Sequence, residues 1–359
     1  MSSRTCVVSV IIKTLNEQAH IGAAIESALA GLRGLDGEVV VADSCSRDET
    51  VAIAARYPVC IVQLRDPAER SCGIGPQLGF QYSRGDYVYL MDGDMRLAPD
   101  FLRQGLSFLA QHPEVAGVAG RVVETNLQSL EYQERGRRAA RTVQVGAVGR
   151  LDGGGLYRRR AIMEAGYLSD RNLHSYEEID LAARLRARGW KLWRLPVDAV
   201  HHCGHADPAL SLLWRRWTSG YAWGAGELAR AALWRPWGPI IARDVPELRL
   251  YLAVVAWVAI MLAAATAASM GARGPLLALW LPLSVLPLAV LAARKRSASR
   301  VGYSLCAWGV HAAGLLRGLA RRRRDPRAPI ASRVIQEIRD TGDPRGGGQL
   351  GGVAMTGRP

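Results

Sequence analysis

The chain has 359 residues and a formal net charge of +14, and 49% of its residues are hydrophobic. This length is enough for one or two domains. The six cysteines show no C-x-x-C spacing, which excludes a small disulfide framework and indicates reduced thiols facing a cytosol. Much of the positive charge lies at residues 294–300 and 321–324, beside apolar segments, so a membrane surface is favoured and no nucleic acid partner is expected.

Strands and helices alternate through the first third of the chain. Continuous apolar runs predict buried strands at Cys6–Ile12, Glu38–Ala42, Val59–Leu64 and Tyr87–Met91. Apolar residues recur at helical spacing in Ala19–Leu32, between the first two strands. Alternation at this spacing predicts parallel strands joined by right-handed crossovers. We therefore expect an α/β fold with a doubly wound, Rossmann-like sheet.

Carboxylates follow two of the predicted strands. Asp92 and Asp94 come directly after Tyr87–Met91, and Asp43 comes directly after Glu38–Ala42. The carboxyl ends of parallel strands are where open α/β sheets bind ligands. Two carboxylates this close repel each other unless a cation lies beside them, and their oxygens suit Mg²⁺ or Mn²⁺. An ordinary turn is the alternative for the pair, and capping of the next helix is the alternative for Asp43.

Three stretches together resemble the family 2 glycosyltransferases, in family order and at family spacing. They are V-S-V-I-I-K-T-L-N-E at Val8–Glu17, V-V-V-A-D-S-C-S-R-D-E-T at Val39–Thr50 and R-G-D-Y-V-Y-L-M-D-G-D-M at Arg84–Met95. The resemblance spans about residues 6–205. It implies the GT-A fold, a nucleotide-sugar donor, a divalent cation (Mg²⁺ or Mn²⁺) and inversion at the anomeric carbon.

The same resemblance assigns roles to five residues. Thr14, Glu17 and Asp43 would line the nucleoside of the donor. Asp92 would approach the ribose or the metal, and Asp94 would bind the metal.

A glycine-dense stretch, Asp152–Arg158, resembles the family strand that forms a wall beside the donor sugar and the acceptor. Glycines let the backbone approach a ligand closely. Gly154 and Gly155 are therefore expected on the acceptor side.

The acidic stretch His174–Leu181 resembles the family's Glu-Asp-x-Asp-Leu motif. Its simpler explanation is a favourable interaction of acidic residues with the start of a helix. An inverting transferase, however, must remove a proton from the acceptor hydroxyl, which a positioned carboxylate does. Glu178 aligns with the family's catalytic Asp, and Asp180 is the second candidate base.

Two further candidates come from aligned positions. His202 matches the metal-binding His of some family members, although a structural histidine is the alternative; the ligands in His201–His205 are spaced too tightly for a closed zinc site. Leu213–Trp217 resembles the Gln-x-x-Arg-Trp of processive polysaccharide synthases, with Leu213 in place of Gln. Trp217 is therefore an acceptor-side candidate.

The last third of the chain is apolar and basic. Tyr251–Met270 and Pro275–Ala293 are free of charge and about twenty residues long, the length that crosses a bilayer. The basic residues 294–300 follow the second span, which predicts that it ends in the cytoplasm. Val301–Ala320 contains His311 and Arg317, so an interfacial or re-entrant helix is expected there.

We therefore expect five segments: a GT-A domain at 1–205, amphipathic interfacial helices at 206–250, two transmembrane helices at 251–293, a basic interfacial or re-entrant helix at 294–324 and a disordered tail at 325–359. The expected protein is a multi-pass protein of the cell membrane with a cytoplasmic catalytic domain. Its expected function is inverting transfer of a sugar from a nucleotide sugar to a polyprenyl-linked, other lipid-linked or cell-envelope glycan acceptor. A processive polysaccharide synthase and a catalytically inactive nucleotide-sugar-binding subunit are the alternatives.

Overall fold

The computed structural model describes residues 7–125, 145–203, 209–270, 289–295 and 297–338. Within these residues ten strands form one mixed sheet. In chain order the strands are β1 (Val8–Thr14), β2 (Gly37–Asp43), β3 (Cys60–Leu64), β4 (Tyr87–Asp92), β5 (Met95–Leu97), β6 (Val115–Glu124), β7 (Gly146–Val148), β8 (Gly155–Arg158), β9 (Lys191–His202) and β10 (Ser332–Gln336).

Helices cover the sheet and continue into the C-terminal region. Their bounds are α1 (Ile21–Gly31), α2 (Thr50–Ala54), α3 (Ile74–Tyr82), α4 (Phe101–Gln111), α5 (Arg159–Ala165), α6 (Glu177–Arg186), α7 (Ala209–Thr218), α8 (Gly224–Ala232), α9 (Gly238–Asp244), α10 (Glu247–Ser269) and α11 (Ala298–Ala320).

The first four strands form the parallel half that the sequence predicts. β1 pairs in parallel with β2 on one side and β4 on the other, and β2 pairs in parallel with β3. α1 packs Ile21 and Ile25 on one face of this half, and α3 packs Ile74 and Leu78 on the other. Burial on both faces explains why the strand sequences are continuous apolar runs. The carboxyl ends of these strands meet at one edge, where Asp43 and Asp92 end β2 and β4.

The second half of the sheet is mixed. β8 lies antiparallel between β4 and β6, and β6 pairs in parallel with β9. The sequence indicates an edge strand at Trp190–Leu195 and a separate run at Val197–Val200, but they are one strand, β9, which also pairs with β5 and β7. Pro196 removes a ladder hydrogen bond, and the pairing with β6 is irregular between Ala119 and Arg121 at that point. The strand continues through this irregularity.

The C-terminal region differs in part from the expected layout. α10 is the one helix, among the described residues, that is long and apolar enough to cross a membrane. Most of Pro275–Ala293 lies outside the described residues, as does residue 296 of the basic stretch. α11 packs closely on α8, since a Cβ on Gly226 would lie 2.0 Å from the carbonyl oxygen of Leu315.

The chain after α11 returns to the α/β domain, which differs from the disordered tail expected from residue 325. Ser332–Gln336 forms β10, antiparallel to β3 at the edge of the sheet. Ile330 is buried in the core beside α3, and Arg323 and Arg324 pair with Asp170 and Glu69. Glycine, proline and arginine content alone did not reveal these anchors.

Candidate functional site

A pocket lies between the carboxyl ends of β1 and β4 and the first turn of α6. The parallel register places Lys13 beside Asp92. The charged residues of its lining are Lys13, Asp92, Glu177 and Glu178, and Gly154, Tyr157 and Ser169 also belong to the lining. Asp92 and Glu178 are 86 positions apart in sequence, and the sheet topology brings them to one cavity, as the resemblance implies.

Lys13 is the cation among these lining residues. Its Nζ lies 3.1 Å from Oδ1 of Asp92 and 3.3 Å from Oε1 of Glu177. Burial lowers the pKa of Lys13, but the two carboxylates raise it well above its usual value, so the ammonium stays charged. Sequence reasoning missed Lys13; the available signal was its place at the end of β1, level with Asp92.

Glu178 also lines this pocket, at the start of α6. Its Oε1 accepts a hydrogen bond of 3.3 Å from the backbone N–H of Gly154. Burial and the adjacent charge of Glu177 raise the pKa of Glu178 to about 8. Gly154 has φ of +91°, and a Cβ there would lie 2.1 Å from the carbonyl oxygen of Leu90, so only glycine fits. Gly155 pairs with Leu90 in the sheet, and of the two predicted glycines it is Gly154 that lines the pocket with Glu178.

Asp180, the second candidate base, is placed elsewhere. Its side chain is fully buried, and its Oδ2 accepts a hydrogen bond of 2.8 Å from Nε of Arg184. Arg184 in turn donates to the carbonyl oxygens of Tyr167 and Leu168 at 2.6 and 3.1 Å. Asp180 therefore anchors α6 to the preceding loop, and the pocket is lined by Glu178 instead.

Asp94 and His202 meet where β5 pairs with β9. Nε2 of His202 lies 3.2 Å from Oδ2 of Asp94, and Nδ1 lies 2.6 Å from Oε2 of Glu124. Burial lowers the pKa of His202, but hydrogen bonds with Asp94 and Glu124 raise it to about 10. Sequence reasoning missed Glu124, which ends β6 directly beside His202.

Asp94 and His202 would provide a partial ligand set for a divalent cation, which would displace the proton from Nε2 of His202 on binding. Within the described part of the chain, no cluster of three His, Cys, Asp or Glu side chains has the geometry of a metal site. A carboxylate and an imidazole converge at Asp94 and His202. Mg²⁺ prefers a shell made only of oxygen ligands, so this mixed set of oxygen and nitrogen suits Mn²⁺ better than Mg²⁺. The bond from His202 to Glu124 is the kind that fixes the ring of a metal-ligating histidine.

The residues assigned to the nucleoside surround the ends of β1 and β2. Asp43 is fully buried and accepts hydrogen bonds from Ser46 N at 2.9 Å and from Gln63 Nε2 at 2.7 Å. Thr14 and Glu17 lie against Gly93, where a Cβ would come within 2.9 Å of Thr14 Oγ1. The structure thus brings Thr14 and Glu17 to the loop between Asp92 and Asp94.

Trp217 lies outside the pocket lining, on a neighbouring aromatic wall. Its ring makes an edge contact with Trp223, with centroids 6.4 Å apart. The Trp223 ring lies 5.5 Å from that of His174, which precedes α6. Cζ of Arg317, in α11, lies over the Trp223 ring, 4.4 Å from the ring centroid. Trp217 is therefore connected to the start of α6 through Trp223 and His174.

Comparison with known proteins agrees with the sequence resemblance. Residues 9–166 match the sequence model of glycosyl transferase family 2. Glucomannan 4-beta-mannosyltransferase 7 of Arabidopsis thaliana is 31% identical over 172 residues, which cover 42% of this chain and 30% of that protein. Succinoglycan biosynthesis protein ExoO of Rhizobium meliloti (strain 1021) is 34% identical over 131 residues, 34% of each chain. The chain thus spans about a third of the length of these relatives.

A solved structure extends the similarity to most of the chain. Mannosyltransferase PcManGT from Pyrobaculum calidifontis, in complex with GDP-Man and Mn²⁺, superimposes with a TM-score of 0.56 at 21% identity. The match covers 87% of each chain. It shows a shared fold, and together with the family match it confirms the expected α/β, GT-A type of mixed sheet.

Proposed function

We propose that the protein is a membrane-associated, metal-dependent family 2 glycosyltransferase that transfers a sugar, with inversion, from a nucleotide sugar to a lipid-linked or cell-envelope glycan acceptor. The observation that carries this proposal is the single pocket that joins Asp92 and Lys13 to Glu178. Asp92, which we assign to the donor side, and the proposed base Glu178 thus line one cavity, which supports a direct transfer assisted by a base.

The metal side of the reaction belongs to Asp94 and His202. A bound cation supplies electrostatic stabilisation of the departing nucleoside diphosphate. Asp94 and His202 would hold it, and Glu124 would fix the imidazole through Nδ1. Lys13 forms ion pairs with Asp92 and Glu177, and it thereby holds these two carboxylates close together at the pocket.

The acceptor side belongs to Glu178. As the acceptor hydroxyl attacks the anomeric carbon, a carboxylate oxygen of Glu178 takes its proton. The raised pKa makes this carboxylate a stronger base than an exposed glutamate, because burial destabilises its charged form. The backbone N–H of Gly154 orients the side chain toward the pocket.

Membrane association rests on α10 and on the basic residues around α11. α10 is apolar and little buried, so a bilayer is the natural environment for its exposed side chains. Arg323 and Arg324 pair with the α/β domain, which keeps the end of α11 on the same side of the membrane as the pocket. We propose that this side is the cytoplasm, where the donor would be available.

The two alternatives differ in specific residues. Processive synthases carry a Gln where this chain has Leu213, which favours single transfer. An inactive binding subunit has no need of the basic carboxylate, whereas Glu178 lies in the pocket together with Lys13 and Asp92.

The direct test is a screen of donor hydrolysis by the full chain in detergent with Mn²⁺. GDP-mannose is the first donor to test, since several relatives are named mannosyltransferases. Release of nucleoside diphosphate from one donor, and its loss in Asp94→Asn, is the expected result. No release from any nucleotide sugar, with or without lipid acceptor, would contradict the proposal.

A further inference from the structure

The C-terminal strand β10 completes a groove at the nucleoside end of the site. The groove of ≈ 550 Å³ is lined on one side by the β2 and β3 ends and on the other by Ser332 and Arg333 of β10. Cys45, Gln63 and Arg70 lie in the same lining. Residues more than 260 positions apart in sequence thus share one wall.

A hydrogen-bonded relay connects Arg333 to the carboxylate assigned to the nucleoside. Arg333 Nε donates to Gln63 Oε1 at 2.7 Å, and one of its terminal nitrogens donates to the same oxygen. Gln63 Nε2 then donates to Asp43 Oδ2 at 2.7 Å. The amide of Gln63 therefore has a fixed orientation, and the guanidinium of Arg333 has a fixed place at the groove. A guanidinium carries five N–H donors, so these bonds do not exhaust it.

The strand that carries Arg333 is anchored independently of that side chain. Arg65 N donates to the carbonyl oxygen of Ala331 at 3.0 Å. Gln336 Nε2 donates to the carbonyl oxygens of Tyr57 and Val59 at 2.7 and 3.0 Å. Ile330 is 2% exposed and packs in the core. Removing the guanidinium is therefore expected to leave β10 in place.

We propose that Arg333 is a specificity-determining residue for the donor, which donates hydrogen bonds to a carbonyl oxygen of the nucleobase. A planar guanidinium beside a groove of this size is suited to a planar base edge that presents acceptors. Uracil and guanine carry such carbonyl oxygens, and adenine does not. The segment after α11 would thus take part in donor recognition. This inference rests on the proposed function, since it requires a nucleoside diphosphate in the groove.

The test is binding of nucleoside diphosphates to the full chain in detergent with Mn²⁺, measured by calorimetry with UDP, GDP and ADP. The wild type is expected to bind UDP or GDP more tightly than ADP. Arg333→Ala is expected to weaken that preferred ligand by about tenfold or more, the value of a hydrogen bond from a charged group, and to leave ADP unchanged. Arg333→Gln is the second variant, with the same expected loss, if the alanine protein does not fold.

Gln336→Ala is the matched control, because it removes an anchor of β10 that does not line the groove. Its affinities are expected to equal those of the wild type. The direct role of Arg333 would be overturned if Arg333→Ala kept the wild-type preference for UDP or GDP over ADP. It would also be overturned if Gln336→Ala lost as much affinity for the preferred ligand as Arg333→Ala. Binding of none of the three ligands by the wild type would instead contradict the proposed function itself.

Discussion

Nε2 of His202 lies 3.2 Å from Oδ2 of Asp94, across the pairing of β5 with β9. We predict that Asp94→Asn nearly abolishes transfer while the protein still folds, because the amide is a much weaker ligand for a hard cation. Turnover and Mn²⁺ binding are to be measured together. Asp36→Asn, an exposed carboxylate between α1 and β2, is the control and should behave as wild type. Full activity of Asp94→Asn, or of wild type in excess chelator, would show that no metal is needed.

Glu124 holds the other ring nitrogen of the same histidine, at 2.6 Å. Glu124→Gln is predicted to weaken Mn²⁺ binding by roughly 10- to 100-fold, the usual cost of losing a carboxylate behind a ligating histidine. Raising the Mn²⁺ concentration should restore turnover, since Asp94 and His202 remain. A turnover defect that excess Mn²⁺ leaves unchanged would mean that Glu124 acts in some other way.

The pKa of Glu178, about 8, predicts the pH dependence of the reaction. A base acts when deprotonated, so kcat/KM should rise with pH and level off above about pH 8. Glu177→Gln removes the neighbouring negative charge, which lowers the pKa of Glu178 and moves this rise to lower pH. Glu114→Gln, a carboxylate outside the pocket, should leave the profile unchanged. An identical pH profile in Glu177→Gln and wild type would show that the rise in kcat/KM does not come from deprotonation of Glu178.

Membrane topology is testable at β10. Ile335 is 40% exposed, so a cysteine introduced there is open to a thiol reagent. With β10 paired to β3, this site lies on the same side as the pocket. Ile335→Cys should react with an impermeant maleimide only after cells are permeabilised, compared with the background from the native cysteines. Labelling in intact cells would place the pocket outside the cytoplasm.

The sequence predicts those parts of the fold that depend on local pattern. Continuous apolar runs locate β1 to β4, and their parallel order places Asp43 and Asp92 at one edge. β10 has no such signal, because its stability comes from a partner strand and anchors far away in sequence. Lys13 likewise becomes a site residue only through its register with Asp92.

The choice between two candidate bases shows the same limit. Side chains two positions apart on a helix point about 200° apart, so Glu178 and Asp180 cannot both face the pocket. Which of them does so depends on how α6 is rotated. In the structure the side chain of Asp180 is buried in an ion pair with Arg184, and Glu178 is the residue that lines the pocket. A sequence motif alone does not contain that rotation.

Asp180→Asn is therefore predicted to act on stability more than on chemistry. Removing one charge of a fully buried pair leaves Arg184 uncompensated, at a cost of about 3 kcal/mol or more. Thermal or denaturant unfolding of the purified variant measures this loss. Folded Asp180→Asn at low temperature should retain most of its turnover, and a stable but inactive variant would contradict this role.

The measurement that tests the account most directly is turnover and donor affinity of Glu178→Gln beside the wild type. The amide keeps the size and polarity of the side chain but does not accept the acceptor's proton. Turnover is predicted to fall by about 10² to 10⁴-fold, or roughly 3 to 5 kcal/mol of barrier, with donor affinity retained. A Glu178→Gln enzyme with nearly normal turnover would contradict the assignment of Glu178 as the base.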